Sequence, residues 1–211
     1  MKIYIDTVRS EKIILKVKLM PSKTITIRLA LVLFLFAITG TGFYCWKSSI
    51  PLPIPDHLKN LGGDFVLQSA DGPLALQDLR GKVVLLYFGY MNCPDVCPLT
   101  LSNWTEAFNQ LEDAKVEKVR GLLVSIDPDR DTPAALKEYT NYFHQNILGV
   151  TSNHEELSEV TMLYRADYNL ENKGKENKYK VDHTSFVYVI DPVGKLRDLL
   201  SHESSPKDIL K

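Results

Sequence analysis

Two cysteines lie where a buried strand gives way to a helix, and this junction constrains the fold more than any other feature. Residues 83–88 are continuously apolar, as in a strand that is covered on both faces. Cys93 and Cys97 follow this run, and residues 99–111 then show helical periodicity. Because the N-terminus of a helix is electropositive, it favours thiolates over thiols. The junction therefore predicts redox chemistry or metal binding at these two cysteines.

The first part of the chain differs from the rest in charge and hydropathy. Residues 1–28 carry seven basic and two acidic side chains, and residues 29–46 contain no charged residue. Eighteen uncharged residues are near the lower limit for a helix that spans a bilayer. The positive-inside rule then predicts that 1–28 is a cytoplasmic basic segment, that 29–46 is a transmembrane anchor, and that the remainder is exported. A cleaved signal peptide is the alternative, but this apolar run is longer than usual and lacks a clear small-residue cleavage site.

The exported part is predicted to be one domain. Residues 47–59 contain three prolines and are typical of a stiff linker, which leaves 60–211 as the folded domain. The mildly acidic charge of this domain gives no reason to expect a nucleic acid partner. Of the three cysteines in the chain, only Cys93 and Cys97 belong to this domain. They are too close in sequence to close a long loop, so they form either a redox pair or part of a metal site.

Strands and helices alternate along this domain. The predicted strands are a hairpin in residues 62–75 and the segments 83–88, 121–126, 185–190 and 195–200. The predicted helical segments are 76–82, 99–111 and 155–164. Two further helices are predicted from their first residues: one is capped by Thr132 and begins at Pro133, and the last begins at Pro206. Residues 169–180 are polar and predicted to form an exposed, mobile loop. The pattern indicates an α/β fold, thioredoxin-like, in which helices flank a mixed sheet.

The spacing of the cysteines bears on their chemistry. In a helix, Cys93 and Cys97 would lie one turn apart on the same face. A thioredoxin-type redox site has two residues between its cysteines, whereas three separate this pair. A disulfide remains possible, but two thiolates on one face also suit a soft metal ion such as Cu(I) or Zn²⁺. Two thiolates leave such an ion under-coordinated, so a third ligand is expected.

One histidine stands apart from the others as a candidate ligand. His144, His154 and His202 lie among polar neighbours and are interpreted as ordinary surface residues. His183 lies between the polar loop and a predicted buried strand, at an edge that adjoins the cysteine turn in a thioredoxin-like sheet. A neutral imidazole there would complete a two-cysteine, one-histidine site suited to copper.

Four motifs give the domain a resemblance to a known family. They are the sequences GGDF at 62–65, YFGY with CPDVCP at 87–98, VSIDPDRDTP at 124–133 and VDHT at 181–184. With these motifs the domain resembles the Sco/SenC family of copper-binding proteins. Met91 stands where that family usually has a small polar residue, and we expect it to pack rather than bind metal.

The resemblance implies a thioredoxin-like domain tethered by one transmembrane helix. It implies one copper ion per chain, bound by Cys93, Cys97 and His183, with Asp182 orienting His183. It also implies a role in assembling the binuclear copper centre of cytochrome c oxidase. Asp127 and Arg130 would shape the neighbouring loop, or simply form a capping and ion-pair cluster before a helix.

The residues leave more than one function open. A metallochaperone would bind copper and hand it to the copper-bearing subunit of the oxidase, without catalytic turnover. The alternative is a membrane-anchored thiol–disulfide oxidoreductase that keeps the oxidase cysteines reduced. Other copper chaperones or thiol reductants would then be further partners. A peroxiredoxin-like peroxidase is disfavoured because the two thiols are so close. The expected location is the bacterial inner membrane with the domain in the periplasm, or alternatively the mitochondrial inner membrane facing the intermembrane space.

Overall fold

The structure, a computed structural model, describes residues 54–171, 180–183 and 185–211, and gives only the backbone at 169–171 and 180–183. The predicted basic segment 1–28, the predicted anchor 29–46 and most of the linker 47–59 lie outside these residues. Among the residues described, no helix is long and apolar enough to cross a membrane.

A mixed sheet of five strands forms the centre of the domain. In chain order, the strands are β1 Val66–Ser69, β2 Gly72–Ala75, β3 Val83–Gly89, β4 Val119–Ser125, β5 Ile147–Val150, β6 Tyr168–Glu171, β7 Lys180–His183, β8 Phe186–Ile190 and β9 Leu196–Ser201. The central sheet has the order β5-β4-β3-β8-β9. β3, β4 and β5 are parallel, whereas β8 is antiparallel to β3 and β9 is antiparallel to β8. β1 pairs with β2, and β6 with β7, in separate antiparallel hairpins.

Helices cover both faces of this sheet. They are α1 Val96–Asn109, α2 Asp113–Val116, α3 Pro133–Phe143, α4 His154–Tyr164 and α5 Pro206–Ile209, with 3-10 turns at Asp56–Leu58 and Leu76–Leu79. Successive side chains of a strand point to opposite faces, and β3 shows this directly. Tyr87 packs edge-on against Trp104 of α1, while Phe88 packs against Tyr164 of α4.

Two glycines allow helices to approach closely the face of the sheet to which Tyr87 points. A Cβ atom on Gly121 of β4 would lie 2.7 Å from the ring of Trp104. A Cβ on Gly149 of β5 would lie 2.8 Å from Cβ of Leu136. Only glycine fits at such contacts without displacing its neighbour. α1 and α3 therefore pack on the face to which Tyr87 points, and α4 packs on the opposite face.

The predicted α/β, thioredoxin-like fold is confirmed for the domain, with differences in detail. The mixed sheet, the leading hairpin, and the helix with Thr132 as its cap and Pro133 at its start are all present, and the Thr132 hydroxyl accepts a hydrogen bond from the amide of Ala135. β5 and α2 were not predicted, because each has only four residues and carries too little periodic signal.

The prediction of a loop over residues 169–180 is wrong at both ends. Strands β6 and β7 occupy the ends of this segment, and they pair Tyr168 with His183. β6 alternates apolar and polar side chains over only four residues, which is at the lower limit of the length by which a strand is recognised in a sequence. Mobility was predicted for the whole of 169–180, and residues 172–179 of this segment lie outside the described residues.

Candidate metal centre

The cysteines lie at the edge of the sheet where two parallel strands end side by side. Gly89, the last residue of β3, pairs with Ser125, the last residue of β4, and the amide of Ile126 donates to the carbonyl of Gly89 at 3.0 Å. Residues 90–95, here called the cysteine loop, leave β3. Residues 126–132, here called the acidic loop, leave β4. The carboxyl ends of parallel strands are a common place for functional sites in α/β folds.

The chain returns to this edge through β7 and β8. β8 is antiparallel to β3 and pairs Val187 with Tyr87, so that β8 begins where β3 ends. His183 ends β7, three residues before Phe186, the first residue of β8. The backbone thus brings residue 183 to the edge at which the cysteine loop lies.

The two cysteines occupy different positions relative to α1. The expectation that both lie within one helix is wrong, because α1 begins at Val96, after Cys93 and before Cys97. Pro94 accounts for this, since a residue that precedes proline is disfavoured in helical conformation. The amide of Cys97 nevertheless donates to Sγ of Cys93 at 3.4 Å, and the two thiols hydrogen-bond with each other. Both residues carry thiols, Cys93 partly exposed and Cys97 buried.

Cys97 lies directly over the end of β3. Its Sγ is 3.9 Å from the hydroxyl oxygen of Tyr87, and a Cβ on Gly89 would lie 3.0 Å from the same sulfur. The hydrogen bond with Cys93, together with burial, raises the pKa of Cys97 far above its usual range. In the metal-free protein, this raised pKa favours the thiol form of Cys97 over the thiolate. A metal ion that binds here has to displace that proton.

The acidic loop supports the cysteine loop from one side. Asp131 is 1% exposed, and its Oδ2 accepts hydrogen bonds from the amide of Met91 at 2.8 Å and from the hydroxyl of Ser125 at 2.6 Å. Burial raises the pKa of Asp131. The guanidinium of Arg130 lies 5.8 Å from the centre of the Tyr90 ring, which is within cation–π range.

Asp127 and Arg130 form the ion pair that one of the two sequence interpretations expected, and Asp127 is 1% exposed. Asp131, which makes the direct bond to the cysteine loop, was not singled out from the sequence. Its only signal was its place in the same DPDRD motif. The side chain of Met91 packs against the hydrophobic core, as expected.

His183 and Asp182 are described by their backbone alone, where they pair with Tyr168 and Asn169. Within the side chains that the structure describes, no group of three His, Cys, Asp or Glu residues could hold a metal ion. The ligand set of Cys93, Cys97 and His183 therefore stays a prediction. Two adjacent thiols are a soft donor pair, and this pair fits copper better than a hard cation.

The other three histidines of the domain 60–211 have structural contacts. The ring of His144 packs edge-on against Phe108, and its Nδ1 accepts from the amide of Asn146 at 3.0 Å. This ring is half-buried rather than on the surface, and burial lowers the pKa of His144. His154 is exposed and lies 3.1 Å from the carboxylate of Asp129. His202 is partly exposed, and its backbone amide donates to the carbonyl of Ser185.

Curated relatives match most of this chain. The SCO2-like protein of Rickettsia conorii is 37% identical over 158 residues, which cover 74% of this chain and 76% of the relative. The mitochondrial protein SCO2 of Saccharomyces cerevisiae is 40% identical over 142 residues, or 66% of this chain and 47% of that protein. Similar sequences therefore occur in both bacteria and mitochondria.

Solved structures share the fold. Bradyrhizobium japonicum ScoI with copper bound superposes with a TM-score of 0.65 at 31% identity, over 71% of this chain and 95% of that one. BsSco, described as a cytochrome c oxidase assembly protein with a disulfide switch, gives a TM-score of 0.58 at 28% identity, over 75% of this chain and 94% of its own. The model of the SCO1/SenC family matches residues 55–211. With its CPDVCP motif at the end of β3 and its thioredoxin-like sheet, this chain belongs to the SCO1/SenC family.

Proposed function

We propose that this protein is a copper metallochaperone, which binds one copper ion per chain through Cys93, Cys97 and His183 and delivers it for assembly of the copper centre of cytochrome c oxidase. The observation that carries the proposal is the contact between the two thiols at the open edge of the sheet, where Sγ of Cys93 also accepts from the amide of Cys97. Copper is the cargo in this proposal, and the copper-bearing oxidase subunit is its acceptor.

The difference in exposure between the cysteines gives the transfer a direction. Cys97 is 0% exposed, whereas Cys93 is partly exposed. An acceptor thiol can therefore reach the ion first from the side of Cys93, while Cys97 still holds it from within. The third ligand is proposed to be His183, with Asp182 orienting its ring. An ion that leaves through the exposed side needs no opening of the core.

We also propose that residues 29–46 anchor the protein in a membrane, with the domain on the outer side. The support is the uncharged run and the basic segment before it. The bacterial inner membrane with a periplasmic domain is the first assignment. The mitochondrial inner membrane, facing the intermembrane space, is the alternative, since SCO proteins of mitochondria are among the relatives.

Copper binding by the purified chain tests the ligand set. We expect the wild-type chain to bind one equivalent, and His183→Ala to lower the copper affinity at least about tenfold. His154→Ala is the matched control, because His154 is an exposed histidine whose partner is Asp129 in the acidic loop. It should bind as the wild type does. Equal affinity in His183→Ala and wild type would contradict the role of His183.

A second candidate is a thiol–disulfide oxidoreductase that keeps the oxidase cysteines reduced. It is favoured by the same contact of Cys93 with Cys97, because thiols that hydrogen-bond to each other can also form a disulfide. A disulfide cannot bind copper as thiolates do, so the two activities would exclude each other at any one moment. Oxidase assembly in cells that carry His183→Ala separates them. If the protein is a metallochaperone, oxidase assembly fails in these cells, because copper delivery requires His183. If the protein is an oxidoreductase, oxidase assembly continues, because thiol exchange does not require this histidine.

A further inference from the structure

We propose that the phenol of Tyr87 hydrogen-bonds with the sulfur of Cys97, as acceptor from the thiol in the metal-free protein and as donor when the sulfur binds copper, and thereby tunes that sulfur both as half of a redox pair and as a copper ligand. Tyr87 is thus assigned as a positioning residue that acts through Cys97. The copper half of this inference rests on the proposed function, whereas the redox half requires only the two cysteines.

The contact is buried and short enough for a hydrogen bond to sulfur. The hydroxyl oxygen of Tyr87 is 3.9 Å from Sγ of Cys97, and both residues are 0% exposed. The side chain of Thr100 hydrogen-bonds with the same phenol. When Cys97 binds a metal, its sulfur carries no proton and can only accept. The phenol then has to be the donor in the pair.

Close packing holds the phenol in this position. The ring of Tyr87 stands edge-on to Trp104, with 6.4 Å between the ring centres. A Cβ atom on Gly89 would lie 2.9 Å from Cε1 of Tyr87 and 3.0 Å from Sγ of Cys97. The ring, the glycine and the sulfur therefore fill one tightly packed space. The phenol oxygen cannot move away from the sulfur without moving the core.

A hydrogen bond to a cysteine sulfur withdraws electron density from it. The sulfur becomes a weaker donor to Cu(II), which favours Cu(I) and raises the energy of the sulfur-to-Cu(II) charge-transfer band. In the copper-free protein, the thiol of Cys97 donates to the phenol oxygen, and this bond stabilises the reduced pair relative to the disulfide, which has no proton to donate. Reduction of that disulfide by two glutathione molecules gives two cysteine thiols and one glutathione disulfide. The bond shifts this equilibrium toward the thiols.

Tyr87→Phe tests the inference, because it removes one oxygen atom and keeps the ring. We expect the equilibrium constant for reduction by glutathione to fall about three- to tenfold, as for the loss of one hydrogen bond. We also expect the charge-transfer band of the Cu(II)-loaded protein to move to longer wavelength. Tyr164→Phe is the matched control, because it loses a buried hydrogen bond to the carbonyl of Gly63 on the opposite face of the sheet. This control should move neither quantity.

Unchanged values in Tyr87→Phe, or equal shifts in Tyr87→Phe and Tyr164→Phe, would overturn the inference. If Tyr87→Phe does not fold, 3-fluorotyrosine at residue 87 decides. Its more acidic phenol donates more strongly to the sulfur of the copper-loaded protein and should move the charge-transfer band to shorter wavelength. As a weaker acceptor from the Cys97 thiol, it should also lower the equilibrium constant for reduction by glutathione. If neither quantity moves, the proposal is overturned. If the wild type binds no copper, the proposed function fails, while the glutathione equilibrium still tests the bond to Cys97.

Discussion

The cysteine loop and the acidic loop leave neighbouring strands at the same edge of the sheet, yet they are built differently. The cysteine loop carries a partly exposed thiol at Cys93. The acidic loop is held in place by an ion pair between Asp127 and Arg130 and by the buried carboxylate of Asp131. The amide of Met91 in the cysteine loop donates to Asp131 of the acidic loop, and Arg130 lies over the ring of Tyr90. The comparison suggests that the acidic loop stabilises the edge, so that the cysteine loop can present reactive groups.

The largest effect on stability is expected from Asp131→Ala. This variant leaves the amide of Met91 and the hydroxyl of Ser125 without their acceptor in a buried site. Two such losses should lower the free energy of unfolding by about 2–4 kcal/mol, as measured by urea denaturation. Asp129→Ala is the control from the same loop. Its carboxylate is half-exposed and lies 3.1 Å from the exposed ring of His154, so its loss should cost less than about 1 kcal/mol. Equal costs would contradict the assigned role of the acidic loop.

Asp131→Asn tests how the contribution of Asp131 to the stability of the fold depends on pH. Because burial raises the pKa of Asp131, its folded pKa exceeds its unfolded pKa. The carboxyl group then stabilises the fold most below its unfolded pKa, and this contribution falls as pH rises through the folded pKa. The wild type should therefore gain stability relative to Asp131→Asn as pH falls from 7 toward about 4. Urea unfolding of both proteins across this range measures it. A difference that shrinks on acidification would be inconsistent with a raised pKa.

Thr132→Ala should have a smaller effect. The hydroxyl of Thr132 accepts from the amide of Ala135 and caps α3, so its removal should lower the free energy of unfolding by about 1 kcal/mol. Thr132→Ser keeps the cap and should stay close to the wild type. A full loss in Thr132→Ser would show that the methyl group matters rather than the hydrogen bond.

The smallest effect on stability is expected in the cysteine loop itself. Cys93 is partly exposed and lies outside α1, so Cys93→Ser should change the free energy of unfolding by less than about 0.5 kcal/mol. Copper binding should nevertheless be lost, because serine is a poor ligand for a soft ion. Parallel unfolding and copper titrations measure both quantities. A large loss of stability would contradict the separation of roles between the two loops.

The sequence predicted what depends on local pattern. The apolar run that became β3, the cysteines after it and the cap at Thr132 all have short-range signals. The resemblance to a family added His183 as an expected ligand. The bond from Met91 to Asp131 joins residues 40 positions apart, and no local pattern reveals it. Alternation in β3 puts Tyr87 and Phe88 on opposite faces, but only the packed structure shows that the Tyr87 hydroxyl lies at the Cys97 sulfur.

We propose two cysteine sulfurs and one histidine nitrogen as the copper ligands at this edge of the sheet. The most direct measurement is the absorption and EPR spectrum of the purified chain loaded with one equivalent of Cu(II). We predict intense thiolate-to-Cu(II) charge-transfer bands together with nitrogen hyperfine splitting that disappears in His183→Ala. A spectrum without thiolate bands, or with the same nitrogen splitting in His183→Ala, would contradict the proposed site.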